Sequence, residues 1–387
     1  MSDLVVAYCF PPYVDPSAIV AAKRVRERGR PVDVIQNAMD GFRPVDPGLE
    51  SIAGDLVVRR AELTSTTHFA SWSSMSQFSQ LGVQQALAWD RAGPRYERVY
   101  SRAQFAASHV LAARLLLSRP DLHWTAEFSD PLSRQVDGSV RRSKAPDGAL
   151  RRRLAARVRK AGFRPPEDDN AFTWVEQVSY ALADELVFTN AHQLDLMMAD
   201  VEDPELVARV REVAVISPHP VPPAELHSMR DPEYPLEPGV RHIGYFGRFY
   251  ATRGMHTVLD ALAALPIQLR ENLRLHVFSG EAADLDDDIA ARGLERWVRT
   301  GPYLGYLDFL ALAARMDVLL VNDAVTDGTF AQNPYLPSKW SDYAGSGSRV
   351  WGLVEAGSTL EGVPLDLRSP VEHATAAARV LASIARG

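Results

Sequence analysis

Residues 333–347 read NPYLPSKWSDYAGSG and stand between two apolar runs, MDVLLV (316–321) and RVWGLV (349–354). Both runs are short and rich in β-branched residues, the mark of buried strands. The insert holds two prolines, a lysine and an aspartate, then leaves through Gly-Ser-Gly. That order predicts a loop, a helix over SKWSDYAGSG and a return to the sheet. The question is why so polar and rigid a crossing should join two strands.

The same alternation runs outward in both directions. DLVVAYCF, PVDVIQ, DLVVRRA, RVYSRA, HWTAEFSD and ELVFTN read as strands in the first half, with helical patterns such as SAIVAAKRVRERG, HVLAARLLL and VEQVSYALA between them. HIGYFGRF, LRLHVFSG, DVLLVND and RVWGLVEAG read as strands in the second, alternating with GMHTVLDALAAL, DDDIAARG and YLDFLALAAR. Strands alternating with helices predict parallel sheets covered on both faces. The proline-rich passage SPHPVPPAELHSMRDPEYPLEPG (217–239) separates the two series. The expected fold is therefore α/β, two Rossmann-like domains facing a cleft. We expect an N-terminal domain over 1–217, a linker over 218–240 and a second domain over 241–370. The last segment, 371–387, is expected to be a helix returning to the first domain.

With 387 residues, two domains are the natural expectation, and 24% charged residues is usual for a soluble chain. No apolar run approaches the ~20 residues of a membrane span. MSDLVVAYCFPP lacks a basic region ahead of its apolar residues, so it does not read as a signal peptide. The single cysteine, Cys9, excludes an internal disulfide and a cysteine-based zinc cage. A cytoplasmic setting follows as the expectation. The net charge of −7 gives no reason to expect nucleic acid as a partner, but it is unevenly spread. Residues 134–164 carry +9 and leave −16 for the rest. Within that segment Leu150, Leu154 and Val158 form a narrow apolar stripe among arginines. Such a helix suits a peripheral contact with an anionic membrane or a lipid-linked phosphate; it equally suits packing on its own domain.

Ligands of open parallel sheets bind beyond the carboxyl ends of the strands. In GYFGRFYATRG, Gly247 permits close backbone approach, and Arg248 and Arg253 follow five residues apart, able to converge on a diphosphate. In the opening stretch, Pro337 suits a first helical position, which would leave the amides of Ser338 and Lys339 free for an anion. Asp342, one turn on, is placed to accept ribose hydroxyls. The plain alternatives are a surface ion pair for Arg248 and an ordinary capped helix for Lys339 and Asp342.

Together, GRFYATRG and PSKWSDYAGSGSRVWG resemble the donor half of GT-B glycosyltransferases, in particular the retaining family 4. The resemblance implies that Arg248 and Arg253 take the positions of an Arg-x4-Lys-Gly pair that neutralises the donor diphosphate. Asp342 falls on the second glutamate of the family's Glu-x7-Glu motif. Pro334 stands where the first would be, as in a branch with a PSK-x-x-(E/D)-Y segment among surface-polysaccharide enzymes. Asn333 or Asp323 is then the candidate for reading the sugar. WTAEFSDPL (124–132) is similar to a segment of the same enzymes and offers Asp130, ahead of Glu127, as a general base. CFPPYVDPSAIVAAKRV resembles their first strand, loop and helix, with Pro12, Tyr13 and Asp15 on the acceptor side. No glycine precedes Gly29, so the dinucleotide fingerprint is missing there. His109, after Ser108 at a helix start, is a further candidate for touching sugar or acceptor. Each has a structural alternative: a buried salt bridge for Glu127, a cap or Asx turn before Pro131 for Asp130, a packing role for His109.

The resulting expectation is a hexosyltransferase-type enzyme. It would move a sugar from a nucleotide-diphosphate sugar to a hydroxyl of a glycan, lipid-linked or small-molecule acceptor, with retention, in polysaccharide or glycoconjugate assembly. The resemblance implies no metal and no bound cofactor. A sugar-nucleotide epimerase of the same architecture and a non-catalytic sugar-nucleotide or glycan-binding protein are the alternatives.

Overall fold

The computed structural model describes residues 3–249, 254–280 and 282–387. They form two compact units, Met1–His219 and Pro220–Gly387. In the first, seven strands make one wholly parallel sheet: β1 (Asp3–Val6), β2 (Val32–Asn37), β3 (Val57–Leu63), β4 (Arg98–Ala103), β5 (His123–Phe128), β6 (Glu185–Phe188) and β7 (Ala214–Ile216). Their order is β3-β2-β1-β4-β5-β6-β7, so the chain reverses direction across the sheet between β1 and β4. In the second, six parallel strands are β8 (Arg241–Phe246), β9 (Leu273–Phe278), β10 (Val298–Gly301), β11 (Val318–Asn322), β12 (Arg349–Val354) and β13 (Leu367–Pro370). Their order, β10-β9-β8-β11-β12-β13, reverses between β8 and β11. Such reversals open a crevice at the carboxyl ends of the two central strands.

Central strands are buried along nearly their whole length, as sheets covered on both faces require. Trp124 and Phe128 anchor the first core, Trp351 and Leu320 the second. The helix Pro16–Arg28 begins where Asp15 accepts the Ser17 amide at 2.8 Å and ends at Gly29, whose φ of +62° suits glycine.

Three differences from the sequence reading have physical causes. The helix Trp72–Ala92 is long but rich in serine and glutamine, so its apolar period is faint. It packs through small residues: a Cβ on Gly82 would stand 2.1 Å from Leu111 on the helix Ala107–Leu115. The segment expected as a linker is folded onto the second unit, where Leu226 and His227 are buried and the Tyr234 hydroxyl is hydrogen-bonded with His276 Nδ1 at 2.8 Å. The last helix, Ala374–Arg386, was expected on the first domain. Its apolar face (Ala377, Leu381, Ile384, Ala385) instead lies in the second core.

Candidate active site

At the switch point of the second sheet, β8 ends in Phe246 and the chain turns at Gly247, whose amide donates to the carbonyl of Phe278 at 3.1 Å. The Tyr245 hydroxyl donates to the Arg248 carbonyl at 3.2 Å, and its ring stacks on Phe249 at 5.4 Å. The backbone is thus held while the Arg248 side chain stays exposed. Among the described residues no hydrogen bond or ion pair engages its guanidinium, so the surface ion pair is not formed. Arg253 lies outside the described residues.

The helix of the opening stretch is short, Lys339–Ala344, with Ser338 as its N-cap. Pro337 therefore precedes the cap rather than occupying the first turn. What the helix supplies is side chains. Tyr343 Oη accepts the Phe246 amide at 3.1 Å, clamping the helix to the end of β8. Asp342 is buried; its Oδ1 accepts the Tyr306 hydroxyl at 2.9 Å and its Oδ2 faces Lys339 Nζ at 3.8 Å. Lys339 also stands 3.8 Å from the centroid of the Phe309 ring. Burial, then the neighbouring carboxylate, pushes the Tyr306 phenol well above its usual range, so it remains a proton donor.

Asn333 is buried, and its amide donates to the Ala324 carbonyl at 2.9 Å and to Glu355 at 2.8 Å. Asp323 is likewise a brace: Oδ2 accepts the Glu355 amide at 3.0 Å and the Ser358 hydroxyl at 2.5 Å. The residue that organises this loop is Glu355, which also accepts the amides of Thr326 and Asp327 and the Thr326 hydroxyl. It is the first polar residue after β12, so the carboxyl-end rule applied elsewhere would have found it.

In the first unit, Glu127 is 1% exposed and fully committed. Arg24 reaches it at 2.9 and 3.3 Å, Arg102 at 3.0 Å and the Tyr100 hydroxyl at 2.8 Å. Burial by itself would raise its carboxyl, but the two guanidiniums outweigh that and hold it at about 2. Glu127 is an architectural ion pair joining the first helix to β4 and β5, not a base. His109 is corrected too. It is 1% exposed, edge-on to Phe128 and Trp124, with Nδ1 paired to Ser101 at 2.8 Å. Asp15 caps a helix and binds Arg43 at 2.6 Å, and Tyr13 is buried with its hydroxyl toward Asp40. Pro12 uses its carbonyl to accept the Asp46 amide at 2.9 Å. These three shape the first loop from within.

Asp130 is the exception. It lies two residues past β5, exposed, and neither a cap nor an Asx turn engages its carboxylate among the described residues. The protein packed around it raises its carboxyl above the usual range, against the pull of Arg102 and Arg141. A solvent-reachable carboxylate with raised proton affinity is suited to accept a proton.

The basic segment forms the helix Ala149–Lys160, and its stripe packs inward: Leu154 and Val158 are in the first core and Leu150 packs against it. Several arginines are internal staples; Arg151 donates to two carbonyls and lies over Trp174. Among the described residues no helix is long and apolar enough to cross a membrane, and no group of three metal-ligating side chains gathers.

No protein-family model matches the chain, and no curated protein matches it in sequence. Solved structures do. HepE of Anabaena, solved with UDP and glucose, superposes with a TM-score of 0.58 at 15% identity, over 100% of this chain and 93% of that one. The chain has the GT-B fold. A glycosyltransferase from Rickettsia africae ESF-5 gives 0.58 at 11% identity, over 99% and 88%. A Listeria monocytogenes protein assigned as a UDP-N-acetylglucosamine 2-epimerase gives 0.53 at 10%, over 100% and 89%. The GT-B fold is thus shared by proteins named for transfer and for epimerisation, and function rests on side chains.

Proposed function

We propose that this protein is a glycosyltransferase moving a sugar from a nucleotide-diphosphate sugar to an acceptor hydroxyl. The observation that carries the proposal is Arg248: a cation left exposed and, among the described residues, unpaired at the switch point, on a backbone held by Tyr245 and Gly247. A guanidinium there matches phosphate oxygens and stabilises the diphosphate as it leaves, the kind of preorganised charge that dominates many catalysed steps. Arg253 and Lys339 add positive charge in the same reading. Asp130 accepts the acceptor's proton.

The sequence resemblance supports the finer reading: a retaining, metal-independent hexosyltransferase of family 4, acting in the cytoplasm on polysaccharide or glycoconjugate. Because the apolar stripe of 149–160 is buried, peripheral membrane contact in this reading is electrostatic and weakens with salt.

The test is thermal stabilisation by UDP, GDP, dTDP and ADP, with and without EDTA, for wild type and Arg248→Ala. A ligand of the folded state raises Tm by mass action. The proposal expects one diphosphate to stabilise wild type without metal and to do so much less in the variant. No shift with any of them at millimolar concentration overturns it.

A further inference from the structure

At the carboxyl edge of the first sheet, two phenylalanines stand in solvent. Phe42, on the loop after β2, is 51% exposed; Phe69, on the loop after β3, is 38% exposed. Their rings meet edge to face at 6.3 Å. Behind them an aromatic column runs into the core: Phe69 to Phe105 at 5.0 Å, Phe105 to Tyr8 at 5.5 Å, Tyr8 to Phe78 at 4.8 Å. Arg43 lies over Phe69 at 5.2 Å and is itself pinned, to Asp15 and to the Phe42 carbonyl at 2.8 Å. Solvent-exposed rings held this firmly lose little freedom on binding.

We propose that this pair is the platform on which the acceptor lies, and that the acceptor is a neutral oligosaccharide. The inference rests on the transferase reading and names its second substrate. Two observations select a sugar. The rings sit on the edge where parallel sheets bind ligands, the same edge that carries Asp130 after β5. They are flanked in the chain by exposed hydrogen-bonding residues, Asp40 before Phe42 and His68 before Phe69, which suit hydroxyls. A sugar ring has what this surface asks for, an apolar C–H face and polar edges. β2 and β5 are three strand spacings apart in the sheet, roughly 14 Å, which suits an acceptor of several sugars rather than one.

The experiment is saturation-transfer NMR with titration of maltotriose, cellotriose, chitotriose and mannotriose, each against its monosaccharide, with octanol as an aliphatic competitor. The expected result is binding of at least one trisaccharide more tightly than its monosaccharide. Phe42→Ala should weaken it about tenfold, the order of one lost aromatic contact, and Phe42→Trp should retain it. Phe42 is half in solvent, so the alanine variant should keep the wild-type melting temperature. No trisaccharide bound at 10 mM, undiminished binding by Phe42→Ala, or displacement by octanol overturns the platform; the concentration is chosen as about the weak limit of a single-site carbohydrate contact. UDP, GDP, dTDP and ADP are titrated into the same samples. Absence of binding by all four overturns the transferase reading, whereas binding of one of them without trisaccharide binding overturns the platform alone.

Discussion

The Tyr306 hydroxyl donates to Oδ1 of Asp342 at 2.9 Å, and this one bond occupies half of the carboxylate that the sequence offers to a ribose. Its Oδ2 lies on the Lys339 side, 3.8 Å from Nζ. Tyr306→Phe removes the donor from a buried carboxylate and should cost about 1–3 kcal/mol of stability in chemical denaturation. Nucleotide affinity should fall several-fold, not vanish, because the arginine at β8 is untouched. Abolished UDP binding with unchanged stability would show that the phenol itself contacts the ligand.

Asp130→Asn should leave folding and UDP binding as in wild type and reduce turnover by about 10²–10⁴-fold, the usual worth of a general base. In the wild type the rate should rise with pH through the raised pKa of Asp130, an ascending limb above the ordinary carboxylate range. A variant with wild-type turnover would remove Asp130 from the chemistry.

Glu127→Gln removes one member of a buried Arg–Glu–Arg cluster and should destabilise the first unit by about 3–5 kcal/mol. The sign with pH follows from the depressed carboxyl. Its stabilisation is complete above the unfolded value near 4.5 and is lost as pH falls from there toward 2. Urea midpoints at pH 6, 4 and 3 check this: the wild type should lose stability in that window more steeply than the variant.

Burial, the main cause, lowers His109 and His219 in the first unit and His276 in the second to about 3. All three are neutral when folded and take up a proton on unfolding, so stability present above pH 6.5 declines as pH falls toward 3. Each contributes a slope of about 1.4 kcal/mol per pH unit over that range. His276→Gln should flatten the decline for the second unit only, read from tryptophan fluorescence and from proteolytic fragments of each unit.

The two-domain parallel α/β pattern was legible because apolar runs buried on both faces, punctuated by polar loops, are a local property of the chain. Gly247 and Arg248 were legible for the same reason, as the first residues past a strand. Edge strands β7, β10 and β13 are three or four residues long, too short to display a period. The helix Trp72–Ala92 hid its buried face behind Ser79, Gly82 and Ala86.

Which polar residues remain available for chemistry was a different matter. Sequence alone determined that carboxylates, arginines and a histidine would cluster at strand ends, because strand ends are where the chain pattern places polar residues. It put Asp130 ahead of Glu127, three residues apart in WTAEFSDPL, but could not say which of them folding would surround. Tertiary structure decided it: Arg24, Tyr100 and Arg102, from distant parts of the chain, converge on the first and leave the second exposed. The physical reason is that burial and partnership are sums over neighbours brought together by folding, and a buried charge persists only where such partners surround it.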